Sequence, residues 1–125
     1  MLSIEDYRDQ VWNCCRCGMC KFVIPWKLKS ERFLDICPSG ARYKFAAYYA
    51  QGKMDMARAL VEGEMDYTER VTDILYQCSL CGACAVNCLR FQGKQPAEVI
   101  EALRAELVER GMVVPEHRAY LESTL

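Results

Sequence analysis

The chain is predicted to be all-α, with short helices arranged around two cysteine-bearing loops. Three observations predict this. Apolar residues recur at three- and four-residue spacing along most segments, with almost no strand-like alternation. Helix start and stop residues punctuate the chain. The order helix, close set of cysteines, helix occurs twice, around 14–37 and around 78–88, as an internal repeat. At 125 residues the chain has enough length for one modest core, so a single domain over 1–125 is expected.

The elements follow in order. Ser3 and Asp6 have the spacing of a capping box, and Ile4, Tyr7, Val11 and Trp12 then recur at helical intervals, so a short first helix delivers Cys14. After Cys37, "PSGARYKFAAYYAQG" predicts a helix from Pro38 to Gly52 with Ala41, Phe45, Tyr48 and Tyr49 on one side. "MDMARALVEG" predicts a third helix ending at Gly63. In "DYTERVTDILYQ", Asp66 and Glu69 have the cap pattern, and Val71, Ile74 and Leu75 form an apolar stripe running into Cys78. The longest helix is "QPAEVIEALRAELVERG", with Pro96 near its start, Gly111 past its end, and Val99, Ile100, Leu103 and Leu107 on one face. A short terminal helix is expected from about Pro115, while residues 21–36 and the turn "LRFQGK" after Cys88 read as irregular.

Composition narrows the class. A formal net charge of -1 argues against a nucleic-acid-binding protein, which normally carries a basic stripe. The N-terminal "MLSIEDYRDQVWN" has no basic leader followed by an apolar run, and no stretch approaches the roughly 18 apolar residues of a membrane span, so the expected location is cytoplasmic. Nine cysteines in a reducing compartment point to metal or cluster ligands rather than disulfides.

Their spacing is specific. Cys78, Cys81, Cys84 and Cys88 form C-x2-C-x2-C-x3-C, the run of bacterial four-iron ferredoxins, with Leu89 where the closing proline would stand. Cys14, Cys17 and Cys20 repeat the C-x2-C-x2-C part, and Cys37 arrives late but is followed by Pro38. Three thiolates two residues apart wrap a tight loop around three iron corners, and the fourth corner is reached from elsewhere. In two-cluster ferredoxins the fourth cysteine of each run ligates the other cluster. Applied here, one 4Fe-4S cluster takes Cys14, Cys17, Cys20 and Cys88, and the other takes Cys78, Cys81, Cys84 and Cys37. Zinc is the chemical competitor, but zinc ribbons use cysteine pairs rather than triplets, and no histidine joins either run. Cys15 is out of register and reads as a small buried hydrophobe, with a spare thiol near a cluster as the alternative.

"CRCGMC" with "ICPSG", "GKMDMARALVEG", "YQCSLCGACAVNC" and "VIEALRAELVERG" together resemble the N-terminal α-helical ferredoxin domain of the C-type and D-type polypeptides of heterodisulfide reductase. The same module is similar to the helical domain of the succinate dehydrogenase iron-sulfur subunit and to the C-type polypeptide of glycerol-3-phosphate dehydrogenase. The resemblance implies an α-helical ferredoxin with two 4Fe-4S clusters, relaying electrons between a flavin or hydrogenase module and a catalytic subunit. Larger relatives continue into "CCG" domains that perform substrate chemistry. This chain has no such segment, so an electron-transfer subunit is expected rather than an enzyme in its own right. The alternative is a structural or redox-sensing iron-sulfur protein without electron relay.

Other features are less specific. The insert "KFVIPWKLKSERF" is either a docking surface or apolar lid, or an ordinary loop covering the core. Tyr43, Phe45, Tyr48 and Tyr49 read as helix packing, and His117 as a surface or capping residue. No nucleophile and base pair, phosphate loop or paired carboxylates are present in recognisable form.

Overall fold

The computed structural model describes residues 3–22, 32 and 34–124. Among these the regular structure is helical: α1 (Arg8–Trp12), α2 (Pro38–Tyr43), α3 (Ala50–Val61), α4 (Glu69–Tyr76), α5 (Ala83–Phe91), α6 (Pro96–Glu109) and α7 (Pro115–Thr124). Short 3-10 turns at Ile4–Tyr7 and Ala46–Tyr48 precede α1 and α3. The one extended pairing among the described residues is an isolated antiparallel bridge between Phe22 and Asp35.

The capping box forms as read, with the Ser3 amide donating to Asp6 Oδ2 at 2.8 Å. Pro96 and Pro115 open α6 and α7. Elsewhere the boundaries move. The helix expected from Pro38 to Gly52 breaks at Lys44, which takes a left-handed backbone (φ 55°), and α3 starts at Ala50 and runs straight through Gly52. Gly52 is therefore not a stop but a point of close approach: a Cβ there would lie 2.0 Å from the Ala46 carbonyl oxygen. The cap of α4 is Thr68, whose Oγ1 accepts from the Val71 amide at 3.2 Å, in place of Asp66. The segment "LRF" after Cys88 is not a turn but the end of α5.

A layer of α3 and α6 forms the centre of the core. Met54, Ala57 and Leu60 of α3 pack with Val99, Leu103 and Leu107 of α6. Ile4, Tyr7 and Val11 close one side, and Val71, Ile74 and Leu75 of α4 the other. Tyr7 Oη also donates to Glu98 Oε2 (3.1 Å), tying the N-terminal turn to α6. Burying each such aliphatic side chain contributes about 1.5–3 kcal/mol, so the α3–α6 layer is the firm base on which both cysteine loops rest. The insert between Cys20 and Cys37 is closed at its ends by the Phe22–Asp35 bridge and by the Ile36 amide donating to the Lys21 carbonyl at 2.9 Å. Val23, Ile24, Trp26 and Leu28, which carry the lid or docking reading, lie outside the described residues.

Candidate metal centre

The two cysteine loops share one backbone conformation. In the first, Arg16 (φ 58°) precedes Cys17 and Gly18 (φ 80°) follows it. In the second, Leu80 (φ 56°) and Gly82 (φ 79°) flank Cys81 in the same way. Left-handed backbone costs a residue with a side chain about 1–2 kcal/mol, so Arg16 and Leu80 are held there by their surroundings. Alternating handedness turns successive amides into a concavity suited to anionic groups, including iron-sulfur sites. One such donor is already in place: the Leu80 amide points at Cys78 Sγ, 3.3 Å away.

Helices pin each loop. Gln51 of α3 donates to the Arg16 carbonyl (3.3 Å), and Asn87 of α5 donates to the Met19 carbonyl (2.9 Å). Arg104 of α6 donates twice to the Leu75 carbonyl (3.0 and 2.7 Å) and also to the Cys78 carbonyl, capping α4 and bracing the second loop together.

The eight in-register cysteines line two separate cavities. One, with about 380 Å³ of empty space that includes its open mouth, has Cys14, Cys17 and Cys20 from the first loop and Cys88 from α5. The other, about 340 Å³, has Cys78, Cys81 and Cys84 from the second loop and Cys37 from the residue that precedes α2. The near-equal sizes suit the same group in each. Among the described residues no aspartate, glutamate or histidine lines either one, so the acidic and imidazole donors are missing from this lining and the cysteine sulfurs suit iron-sulfur clusters or thiolate-bound zinc. Among the described residues no three His, Cys, Asp or Glu side chains converge as a single-ion site. Four ligand-spaced cysteines line each cavity, and that complement fits a four-iron cluster.

Leu89 stands where ferredoxin runs have proline because Cys88 sits inside α5. Proline at 89 would interrupt a helix, whereas Pro38 opens one. Cys15 corrects an expectation: it is exposed rather than buried, and reaches the rim of the first cavity. Adjacent residues of a non-helical segment point to opposite sides, so seating Cys14 against the core turns Cys15 outward. His117 lies at the surface with its ring edge-on to Tyr76, 4.9 Å between centroids. Tyr43 stacks on Tyr48 at 4.1 Å and Tyr49 is buried, but Phe45 is exposed, because the break at Lys44 takes it off the expected helix face.

Burial pushes the Cys20 thiol up to about 12 and the Cys84 thiol up to about 11, and neighbouring cysteines push in the same direction. Cys88 is also raised, mainly by burial. Thiolates gathered in apolar space are costly until a metal supplies the balancing charge, and bound iron would hold these sulfurs deprotonated.

Sequence reasoning missed Lys53. It is fully buried, and its Nζ donates to Ser39 Oγ and to the Tyr48 carbonyl, both at 2.7 Å, beside the cavity of Cys37 and Cys78. Burial lowers its pKa, while the Cys78 and Cys37 sulfurs act in the opposite direction. A signal for it was present: Lys53 is in phase with Ala50, Met54, Ala57 and Leu60, so it falls on the apolar stripe of its helix.

An all-α chain that gathers eight of its nine cysteines, by their spacing, into two sets of four around two cavities has the build of a dicluster iron-sulfur protein. The family model described as the 4Fe-4S dicluster domain matches residues 10–91, about two thirds of the chain and every cysteine, and the chain belongs to that family. Its cofactors are two 4Fe-4S clusters and its function is iron-sulfur electron transfer. Comparison with curated proteins and with solved structures returns no match. Among the described residues no helix is long and apolar enough to cross a membrane.

Proposed function

We propose that this chain is the electron-transfer subunit of a larger oxidoreductase complex of the heterodisulfide-reductase-like type. Cys14, Cys17, Cys20 and Cys88 hold one cluster, and Cys78, Cys81, Cys84 and Cys37 hold the other. The observation that carries the reading is the composition of the two cavities: each draws the three cysteines of a C-x2-C-x2-C run from one loop, with Cys15 also at the rim of the first, and one further cysteine from the opposite half of the chain. Bound there, a four-iron cluster takes up and releases one electron at a time.

The polypeptide's work is to hold thiolates, limit water and aim amides at sulfur. One helix serves both cavities, since Gln51 and Met54 of α3 line the first while Ala50 and Lys53 line the second. One turn of α3 therefore contributes to both cavities, a proximity that favours passage of an electron between them. Each loop also has an exposed cysteine, Cys17 on the first and Cys81 on the second. Each cavity thus has its own approach from the surface, one for a flavin or hydrogenase module and one for a catalytic subunit.

Anaerobic purification should yield a brown protein with ~8 irons, as two four-iron clusters require. Cys88→Ala should lose about half of that iron and keep the spectrum of the cluster on the Cys78–Cys84 loop. If the Cys78–Cys84 spectrum changes first, the ligand assignment fails, and a colourless zinc protein would overturn the whole reading. Polypeptides that copurify under the same conditions would identify donor and acceptor. Isolation with no redox partner would remove the complex from the proposal.

A further inference from the structure

We propose that Lys53 is a potential-setting residue: its buried ammonium favours the reduced state of the cluster held by Cys37, Cys78, Cys81 and Cys84. The proposal rests on the ligand assignment given above. It starts from an imbalance of charge. Lys53 is a fully buried cation with both observed hydrogen bonds going to uncharged oxygens, Ser39 Oγ and the Tyr48 carbonyl, each at 2.7 Å. Among the described residues no carboxylate forms an ion pair with it. Burying an ammonium without a balancing anion is strongly unfavourable, so its counter-charge has to lie nearby.

The cavity supplies that anion. Lys53 lines it together with Cys37, Cys78 and Cys84, and Ser39 links the two directly, because its Oγ lies 3.6 Å from Cys37 Sγ. Lys53 Nζ donates to Ser39, which leaves the hydroxyl proton of Ser39 for the Tyr48 carbonyl or the Cys37 sulfur. Four thiolates around an iron-sulfur core make a net anion, and reduction by a one-electron donor adds one more negative charge without forming or breaking any bond at Lys53. A fixed positive charge in a dry, low-dielectric setting stabilises the more negative state, so it raises the potential.

The other cavity is built differently. Among the described residues the cations lining it are Arg16, which is half exposed and paired with Asp55, and Lys94, which is partly exposed and donates to the Gln92 carbonyl. Screening by water and by the Asp55 carboxylate weakens both. The loops have the same backbone, so the fully buried Lys53, alongside Arg104 at the Cys78 carbonyl, makes the two sites electrostatically unequal and biases electrons toward the cavity of Cys37.

The test is an anaerobic redox titration of the loaded protein, following each cluster by electron paramagnetic resonance, with Lys53→Met and Lys53→Arg beside the unaltered chain. Lys53→Met should raise the oxidised-to-reduced ratio of the Cys37 cluster at least tenfold at a fixed ambient potential, a 59 mV fall for a one-electron couple. The other cluster should stay unchanged, and Lys53→Arg should restore most of the shift. Two intact clusters with unmoved midpoints in Lys53→Met would overturn the role of Lys53 and leave the ligand assignment standing. A shift confined to the cluster lost in Cys88→Ala would overturn the assignment and this proposal together. Should the methionine variant fail to fold, the unaltered protein carrying heavy-isotope nitrogen only at lysine Nζ gives the answer. A lysine nitrogen coupling on the reduced Cys37 cluster supports the proposal, and its absence overturns it.

Discussion

Replacing Gly52 with alanine sets two effects of opposite sign against each other. Gly52 lies within α3, and in an exposed helix the change would stabilise by about 0.8–1.0 kcal/mol through helix propensity. Here the added Cβ would stand 2.0 Å from the Ala46 carbonyl oxygen, 2.7 Å from the Ala46 carbonyl carbon and 2.7 Å from Ala47 Cα. All three atoms are backbone, so no side chain can swing aside, and the 3-10 turn Ala46–Tyr48 has to move away from α3. Overpacking costs about 1–3 kcal/mol, and contacts this short belong at the upper end, which leaves a net loss of about 1–2 kcal/mol. For a chain of this size that is a fall of about 5 °C in the thermal midpoint. The displaced turn also carries the Tyr48 carbonyl, the acceptor for Lys53 and Ser39 beside Cys37. The Cys37 cluster should therefore be lost to a chelator faster than its neighbour. Anaerobic thermal scans with iron release followed by absorbance read both effects. A Gly52→Ala protein as stable as the unaltered chain, or more so, would show that propensity outweighs the clash and that the reasoning is wrong.

Two further outcomes follow from the site. Arg104→Met removes the donors to the Leu75 and Cys78 carbonyls, charge-assisted bonds of about 1.5–3 kcal/mol each before compensation, and should speed chelator-driven iron loss from the second loop while sparing the first. Equal release from both loops, or none beyond that of the unaltered protein, would contradict the bracing role. Metal removal should expose a pH dependence: Cys20 and Cys84 titrate near 12 and 11 in the fold against 9.0 for an ordinary thiol, so the folded metal-free chain holds these protons more tightly than the unfolded one. The stabilisation is complete below pH 9.0 and is lost as pH rises through about 11 and 12. Circular dichroism of the metal-free chain should lose helical signal over that range, and a flat profile would refute the burial argument.

What was legible in the sequence followed from periodicity and punctuation. Val99, Ile100, Leu103 and Leu107 marked the buried face of α6, and Pro96 and Gly111 bounded it, because one local pattern and one tertiary role agree there. The grouping of the cysteines was equally readable, since the spacing that paired each triplet with a distant fourth cysteine is the grouping in which they line the two cavities. Errors arose where tertiary contact overrode local signals. Gly52 read as a stop, but its lack of a Cβ serves the crossing of α3 over the Ala46–Tyr48 turn. Asp66 read as the cap of α4, but Thr68, two residues on, takes that place and accepts from the Val71 amide. Arg16 and Leu80 gave no warning of left-handed backbone, because neither residue type prefers it and the strain is imposed by the loop. Lys53 was passed over because a lysine inside an apolar stripe is ordinarily a solvated side chain at the edge of the stripe, and only the fold shows that this one has no route to water.

The repeated loops also locate where the two sites differ. Arg16 and Gly18 match Leu80 and Gly82 within two degrees of φ, so the amide dipoles that the loops present are nearly the same. Differences must come from outside them: from a fourth cysteine that is buried at the start of α2 in one case and partly exposed on α5 in the other, and from the cations beside each cavity. Neither half of the chain closes its own cavity. The helical scaffold, the Asn87 contact to the first loop and the Arg104 contact to the second all have to be in place before four sulfurs face one space. Iron bound by cysteines from both halves would add to that packing, tying the halves together beyond what the α3–α6 layer and these contacts already supply.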